Sequence, residues 1–137
     1  MARIIGADKH KRRLRAMRGP KVVRKVTQAL FSVAQDIAVD AQVSITTGAV
    51  SGKGHVPSKP GEPPNADTHV LSNSITALSP GPLKAETIAD APYAAAQELG
   101  SATLPERPYM RPAAAKNRGN AARKTAAAVN EVIRASG

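Results

Sequence analysis

The chain has no cysteine and no tryptophan, and its 137 residues include only one phenylalanine and two tyrosines. Without cysteine, neither disulfides nor thiol chemistry can operate, and no redox compartment is indicated. Aromatic side chains normally dominate core and interface energetics. An apolar complement made mostly of alanine and valine therefore predicts a marginally stable monomer that subunit contacts would help. A small helical domain of ordinary stability is the alternative. No apolar run approaches the roughly 20 residues needed to span a bilayer. The charged N-terminus is followed by no apolar segment, so it does not read as a signal peptide. The expectation is synthesis in a cytoplasm, with residence or particle assembly there and no membrane partner.

The length predicts one domain, residues 1–137, with a modest core. Net charge is +10, and its distribution says more than its total. Residues 1–35 carry ten Lys and Arg against Asp8 alone, a net +9. Residues 36–106 carry three Lys against eight acids, a net −5, and residues 107–137 seven Lys and Arg against Glu131, a net +6. Basic ends around an acidic middle suit either a polyanion or a neighbouring copy whose acidic middle meets them.

Residues 1–19 form a basic N-terminal segment in which Leu14 and Met17 give a short helix a thin apolar edge. Gly19-Pro20 then punctuates, with proline pre-organised for a first helical position. From Lys21 to about Thr46, Val22, Val26, Ala29, Leu30, Val33, Ile37, Ala41 and Ile45 recur in steps of three and four and predict one long helix. Residues 47–66, with four glycines and four prolines, read as a surface loop or as an arm ordered against a neighbour. Asp67 reads as a helix N-cap before one short turn. Ile75–Ser79 and Leu83–Asp90 alternate as a β-hairpin around a Ser79-Pro80-Gly81-Pro82 turn. A short helix from Tyr93 to Leu99 ends at Gly100. The last helix is expected from Arg111-Pro112 to about Ala135, with Ala122, Thr125, Ala126, Val129, Val132 and Ile133 as its apolar stripe. Gly119 weakens its first half.

Catalytic, cofactor and metal motifs are weighed and set aside. Gly52-Lys53 lacks the spacing and the following Ser or Thr of a phosphate-binding loop. Asp67, His69, Ser72 and Ser74 are hydrolase residue types, but one local turn is not how triads assemble. His55, His69 and Asp67 lack metal-site spacing. No catalytic, cofactor-binding or metal-binding residues are assigned, and the chain is read as not an enzyme. Lys9, Lys11, Arg12, Arg13, Arg15 and Arg18 are candidate contacts to a DNA backbone, which needs charge alone; a solvated tail is the bland reading. Without interleaved aromatics, stacking on single strands is disfavoured.

Two motifs in order are more specific. Asp67-Thr68-His69-Val70-Leu71-Ser72-Asn73-Ser74-Ile75 and Arg107-Pro108-Tyr109-Met110-Arg111-Pro112, with Tyr93 to Gly100 between them, resemble the head–tail joining proteins of long-tailed bacteriophages, also called neck or tail-completion proteins. His69 stands where that family usually has glycine, which leaves the backbone shape of the turn open, since histidine tolerates positive φ far less readily. The resemblance implies an α+β fold: long N- and C-terminal helices packed on a small antiparallel sheet, with a long Pro/Gly-rich loop. It implies a homo-oligomeric ring, six copies expected, at the neck or top of the tail of a virion assembled in the host cytoplasm. Partners would be further copies, tail-tube protein, head-connector proteins and double-stranded DNA in the channel. Arg107 and Arg111 are expected to pair with Glu98 or Glu106, within or between chains. Tyr109 and Met110 are expected as anchors, in the monomer core or between subunits, and Tyr93 under the hairpin. A small basic nucleic-acid-binding protein acting through its N-terminal segment is the alternative.

Overall fold

The computed structural model describes residues 5–47, 52–65 and 69–135. Pro20, at the first helical position, opens the helix around which the other elements are arranged: α2, Pro20–Thr46, follows α1, Ala7–Ala16. Its 27 residues run about 40 Å. After a 3-10 turn at Gly52–Gly54 come α3 (Val70–Asn73), β1 (Ile75–Gly81), β2 (Lys84–Ala89), α4 (Ala94–Leu99), α5 (Met110–Lys116) and α6 (Arg118–Ala135). The fold is α+β, with six α-helices and one two-stranded antiparallel sheet among the described residues.

Helix α6 runs antiparallel to α2, joined by a ladder of polar contacts. Glu131 meets Lys25 (3.1 Å), and Lys124 meets both Ser32 and Asp36 (2.7 Å each). Asn120 also donates to Asp36 (2.9 Å), and Asn117 to Asp40 (2.7 Å). Hydrogen bonds from Lys124 and then Asn120 hold the Asp36 carboxyl below its ordinary pKa. The hairpin lies along another face of α2, tip to base. The Leu83 N–H donates to Thr27 Oγ1, Thr87 Oγ1 to the Ala34 carbonyl, and Gln42 Nε2 to the Ile75 carbonyl.

Ala38, Ala41, Ile45, Leu71, Ile75, Ala91, Ala94, Tyr109 and Ala113 form one core cluster. Five of these nine are alanine, so the backbones of α2 and α5 approach closely and Tyr109 is the largest side chain the cluster encloses.

Several expectations are corrected. The terminal helix is not continuous: Asn117, buried between α5 and α6, turns its amide onto Asp40 and the Ala113 carbonyl (2.9 Å) and interrupts the helix. Of the expected α6 stripe, Val132 is buried and Thr125, Val129 and Ile133 are half-buried, whereas Ala122 and Ala126 are exposed and Ala128 is buried instead. The hairpin reverses at Pro82-Leu83 rather than over Ser79–Pro82, with Gly81 opposite Lys84 and a register shift after Leu78. Proline fixes its own φ, and Leu83 supplies the left-handed step at φ 56°. Asp67 lies outside the described residues; His69, the residue before α3, has φ 62°.

Candidate functional site

A carboxylate becomes a strong acceptor when several N–H groups converge on it. Here Glu98, buried at the end of α4, faces the first turn of α5. Its Oε2 accepts from the backbone N–H groups of Tyr109 (2.8 Å) and Met110 (2.9 Å). Its Oε1 accepts from the Arg111 backbone N–H (2.9 Å) and from Arg111 Nε (3.0 Å). A helix leaves its first four N–H groups without internal partners. In α5 these belong to Tyr109, Met110, Arg111 and Pro112. Glu98 satisfies three, and the proline has no N–H to satisfy.

Arg111 closes the unit. Its Nη2 donates to the Glu98 carbonyl (2.9 Å) and to Glu106 Oε2 (3.0 Å). Burial pushes the Glu98 pKa up, but the three backbone N–H groups and Arg111 outweigh it and hold it below the ordinary value. Hydrogen bonds donated to Glu106 and then Glu98 raise that of Arg111. Tyr109 is 2% exposed and donates its hydroxyl to the Ala94 carbonyl (2.9 Å). Burial first, then the neighbouring Glu98 charge and Tyr93, pushes its phenol up to about 12.

Gly100 makes the geometry possible. Its φ is 75°, and a Cβ there would lie 3.0 Å from the Glu106 nitrogen and 3.1 Å from the Leu104 carbonyl oxygen. The chain can turn beneath Glu98 and return through Pro105 only if that position carries no side chain.

Of the residues singled out in the sequence, Glu98, Glu106, Tyr109, Met110 and Arg111 come together within one chain. Arg107 does not pair with either glutamate. Its N–H donates to the Gln97 carbonyl and its Nε to the Ser58 carbonyl (3.2 Å), so the side chain points toward the proline-rich loop. The Gly61 N–H donates to the Glu106 carbonyl (2.9 Å), so the loop meets the same segment at Ser58 and Gly61. Tyr93 remains 41% exposed rather than packing under the hairpin. Ser72 and Ser74 turn their hydroxyls onto the His69 and Leu71 carbonyls, as residues of a local turn do. Among the described residues no group of three His, Cys, Asp or Glu is placed to hold a metal, and no helix is long and apolar enough to cross a membrane.

The basic residues form a separate surface. Lys9, Lys11, Arg12, Arg13 and Arg15 lie on α1 and Arg18 at the corner after it, all exposed and none ion-paired among the described residues. Helix α1 buries no side chain of its own. Sequence reasoning missed two cations that the fold adds to this surface, Lys21 and Arg24. They sit in the first turns of α2 and read simply as its polar face. It also missed the capping role of Glu98, whose only sequence signal was its place before a glycine and a proline-bracketed turn.

No protein-family model matches the chain, and neither a curated protein nor a solved structure matches it.

Proposed function

We propose that the chain is a non-enzymatic structural protein of a long-tailed bacteriophage virion, a ring subunit that joins head connector to tail and completes or terminates the tail. The resemblance supplies the class, and the geometry of its residues supports it. Tyr93 to Gly100 and Arg107 to Pro112, separate in sequence, build one joint in which the carboxylate of the first motif caps the helix begun by the second. Residues engaged in this way fix a shape.

The hairpin carries the case for self-assembly. Neither outer edge of β1–β2 is paired by another strand among the described residues, and Leu78 and Ile88 are each 36% exposed. Free strand edges are templates for another chain. Pro80 and the register shift blunt β1, whereas β2 has neither device. A neighbour's strand or helix seated there would close the ring, six copies in the expected form. The mass of the purified protein by light scattering, alone and with tail-tube protein, tests this. A closed oligomer or a complex with the tail tube is expected; a lasting monomer that binds neither tail-tube nor connector protein would sink the proposal.

One observation favours a second reading, a small nucleic-acid-binding protein acting through its N-terminal segment: the cations of α1 are exposed and unpaired. Removal of residues 1–18 separates the two, since it would abolish binding in the second reading and leave tail-tube association in the first.

A further inference from the structure

The charges of the chain do not compensate one another evenly once folded. Arg111, Lys116 and Lys124 from the basic C-terminal part neutralise Glu98, Glu106, Asp40 and Asp36 of the acidic middle, all within one chain. Lys25 takes Glu131. Four of the eight carboxylates of the acidic middle are therefore occupied, while the cations of α1 and of the first turns of α2, Lys25 apart, have no carboxylate partner among the described residues.

Their surface is composite. Arg15, Ala16, Gly19, Pro20 and Lys21 line a hollow of about 320 Å³ against Val132 and Ala135 of α6. Lys21 is shared with an adjoining hollow of about 390 Å³, lined also by Arg24, Lys25, Gln28 and Glu131. The Gly19-Pro20 corner thus brings cations of α1 and of α2 to one concave surface.

We propose that this corner, with Arg15, Arg18, Lys21 and Arg24 at its centre and the rest of α1 at its margin, is a binding surface for the phosphate backbone of duplex nucleic acid. This deepens the nucleic-acid reading and holds equally for a ring subunit that touches DNA. The new content is that α2 supplies part of the contact, so the N-terminal segment alone is not the site. Backbone binding requires positive charge and no base-reading side chain. The absence of aromatics on α1 and the first turns of α2 disfavours single strands, which bind by stacking. An anionic membrane is a poorer partner, because interfacial helices need a broad apolar face with large side chains, and among the described residues α1 and its two flanks offer only Ile5, Leu14 and Met17.

The test is fluorescence anisotropy of the full chain with a short labelled DNA duplex of random sequence across a salt series. Each phosphate contact contributes about 0.9 to the slope of log affinity against log salt. Lys21→Gln with Arg24→Gln should lower the slope by about 1.8 and weaken binding by more than tenfold at about 0.1 M salt. Both positions are exposed, and an unchanged circular dichroism spectrum verifies the fold. Arg118→Gln with Arg123→Gln removes equal charge roughly 20 Å away along α6 and should change the slope far less. The composite site is overturned if the α2 pair changes nothing while removal of residues 1–18 abolishes binding, or if the α6 pair has the same effect. Tighter binding to single-stranded oligothymidine, or to phosphatidylserine vesicles at matched salt, would overturn the assignment of duplex. Light scattering on the same variants reads assembly independently, so failure here is distinguishable from failure of the ring.

Discussion

Replacing Glu98 by alanine should be among the most damaging single changes the fold can suffer. The substitution leaves the N–H groups of Tyr109, Met110 and Arg111 without their acceptor. Tyr109 N–H is buried, and an unsatisfied buried donor costs about 1–3 kcal/mol. The other two are partly buried and recover some hydration, so each loses about 0.5–1.5 kcal/mol. The sum is about 4 kcal/mol, a large share of the roughly 5–15 kcal/mol typical of a domain. At about 4 °C per kcal/mol for a chain of this length, the melting midpoint should fall by about 15 °C. Glu98→Gln retains one acceptor oxygen but points an amide N–H at donors, and should lose about 2 kcal/mol. Glu106→Ala removes an exposed ion pair with Arg111 and should cost less than about 1 kcal/mol. Urea and thermal unfolding followed by far-ultraviolet circular dichroism rank the three. Acid provides a second readout. Because the folded pKa of Glu98 is depressed, its contribution is complete above the ordinary value of 4.5 and is lost as pH falls through the lower folded value. The wild type should lose stability in that window, and Glu98→Gln should lose less. If Glu98→Ala and Glu106→Ala unfold within about 1 kcal/mol of each other, the carboxylate is not the cap described.

Three further outcomes follow from single positions. Gly100→Ala should destabilise by roughly 2 kcal/mol or more in urea, since both its φ and the backbone atoms around a new Cβ oppose it; a neutral result would mean the turn relaxes freely. His69→Gly should stabilise by about 0.5–1 kcal/mol, because φ 62° strains histidine and not glycine; a loss would show that the imidazole makes a compensating contact. Tyr109 resists ionisation to about 12, so stability should fall as pH rises from 10 through 12, and Tyr109→Phe should remove the late step from an ultraviolet difference titration.

Periodicity made α2 legible to within a residue at its start, because steps of three and four over seven turns have no strand interpretation. The hairpin was legible as a hairpin but not in its turn. Pro80-Gly81 satisfied turn chemistry on paper, while the reversal fell at Pro82-Leu83, where a leucine adopts a conformation usually left to glycine. The break at Asn117 was invisible for a related reason. Asparagine is an unremarkable helix residue until a half-buried partner such as Asp40 gives its amide something better to do. At the candidate site the sequence brought Glu98, Glu106, Tyr109, Met110 and Arg111 forward together with Arg107, which does not join them, and assigned Glu98 to ion pairing. Its main partners are backbone N–H groups, which carry no sequence signature, and only the omission at Pro112 hints that a helix begins there.

The fold also alters what the charge pattern means. In sequence, basic ends and an acidic middle suit two copies meeting head to tail as well as they suit a polyanion. In the folded chain three of the seven C-terminal cations, Arg111, Lys116 and Lys124, are committed to Asp36, Asp40, Glu98 and Glu106, while Asp8, Glu62, Glu86 and Asp90 remain outside any ion pair among the described residues. Each surface pair contributes little stability, yet together they occupy four of the eight carboxylates of the acidic middle and weaken the proposed complementarity. In the proposed ring, contacts between copies would then rely more on shape and on the open hairpin. The N-terminal cations, left without a carboxylate partner, have phosphate as their natural complement. Assembly should therefore tolerate salt, whereas any nucleic-acid binding should not. If raising salt dissociated the oligomer as steeply as it weakened duplex binding, the two surfaces would be one, and their separation would be wrong.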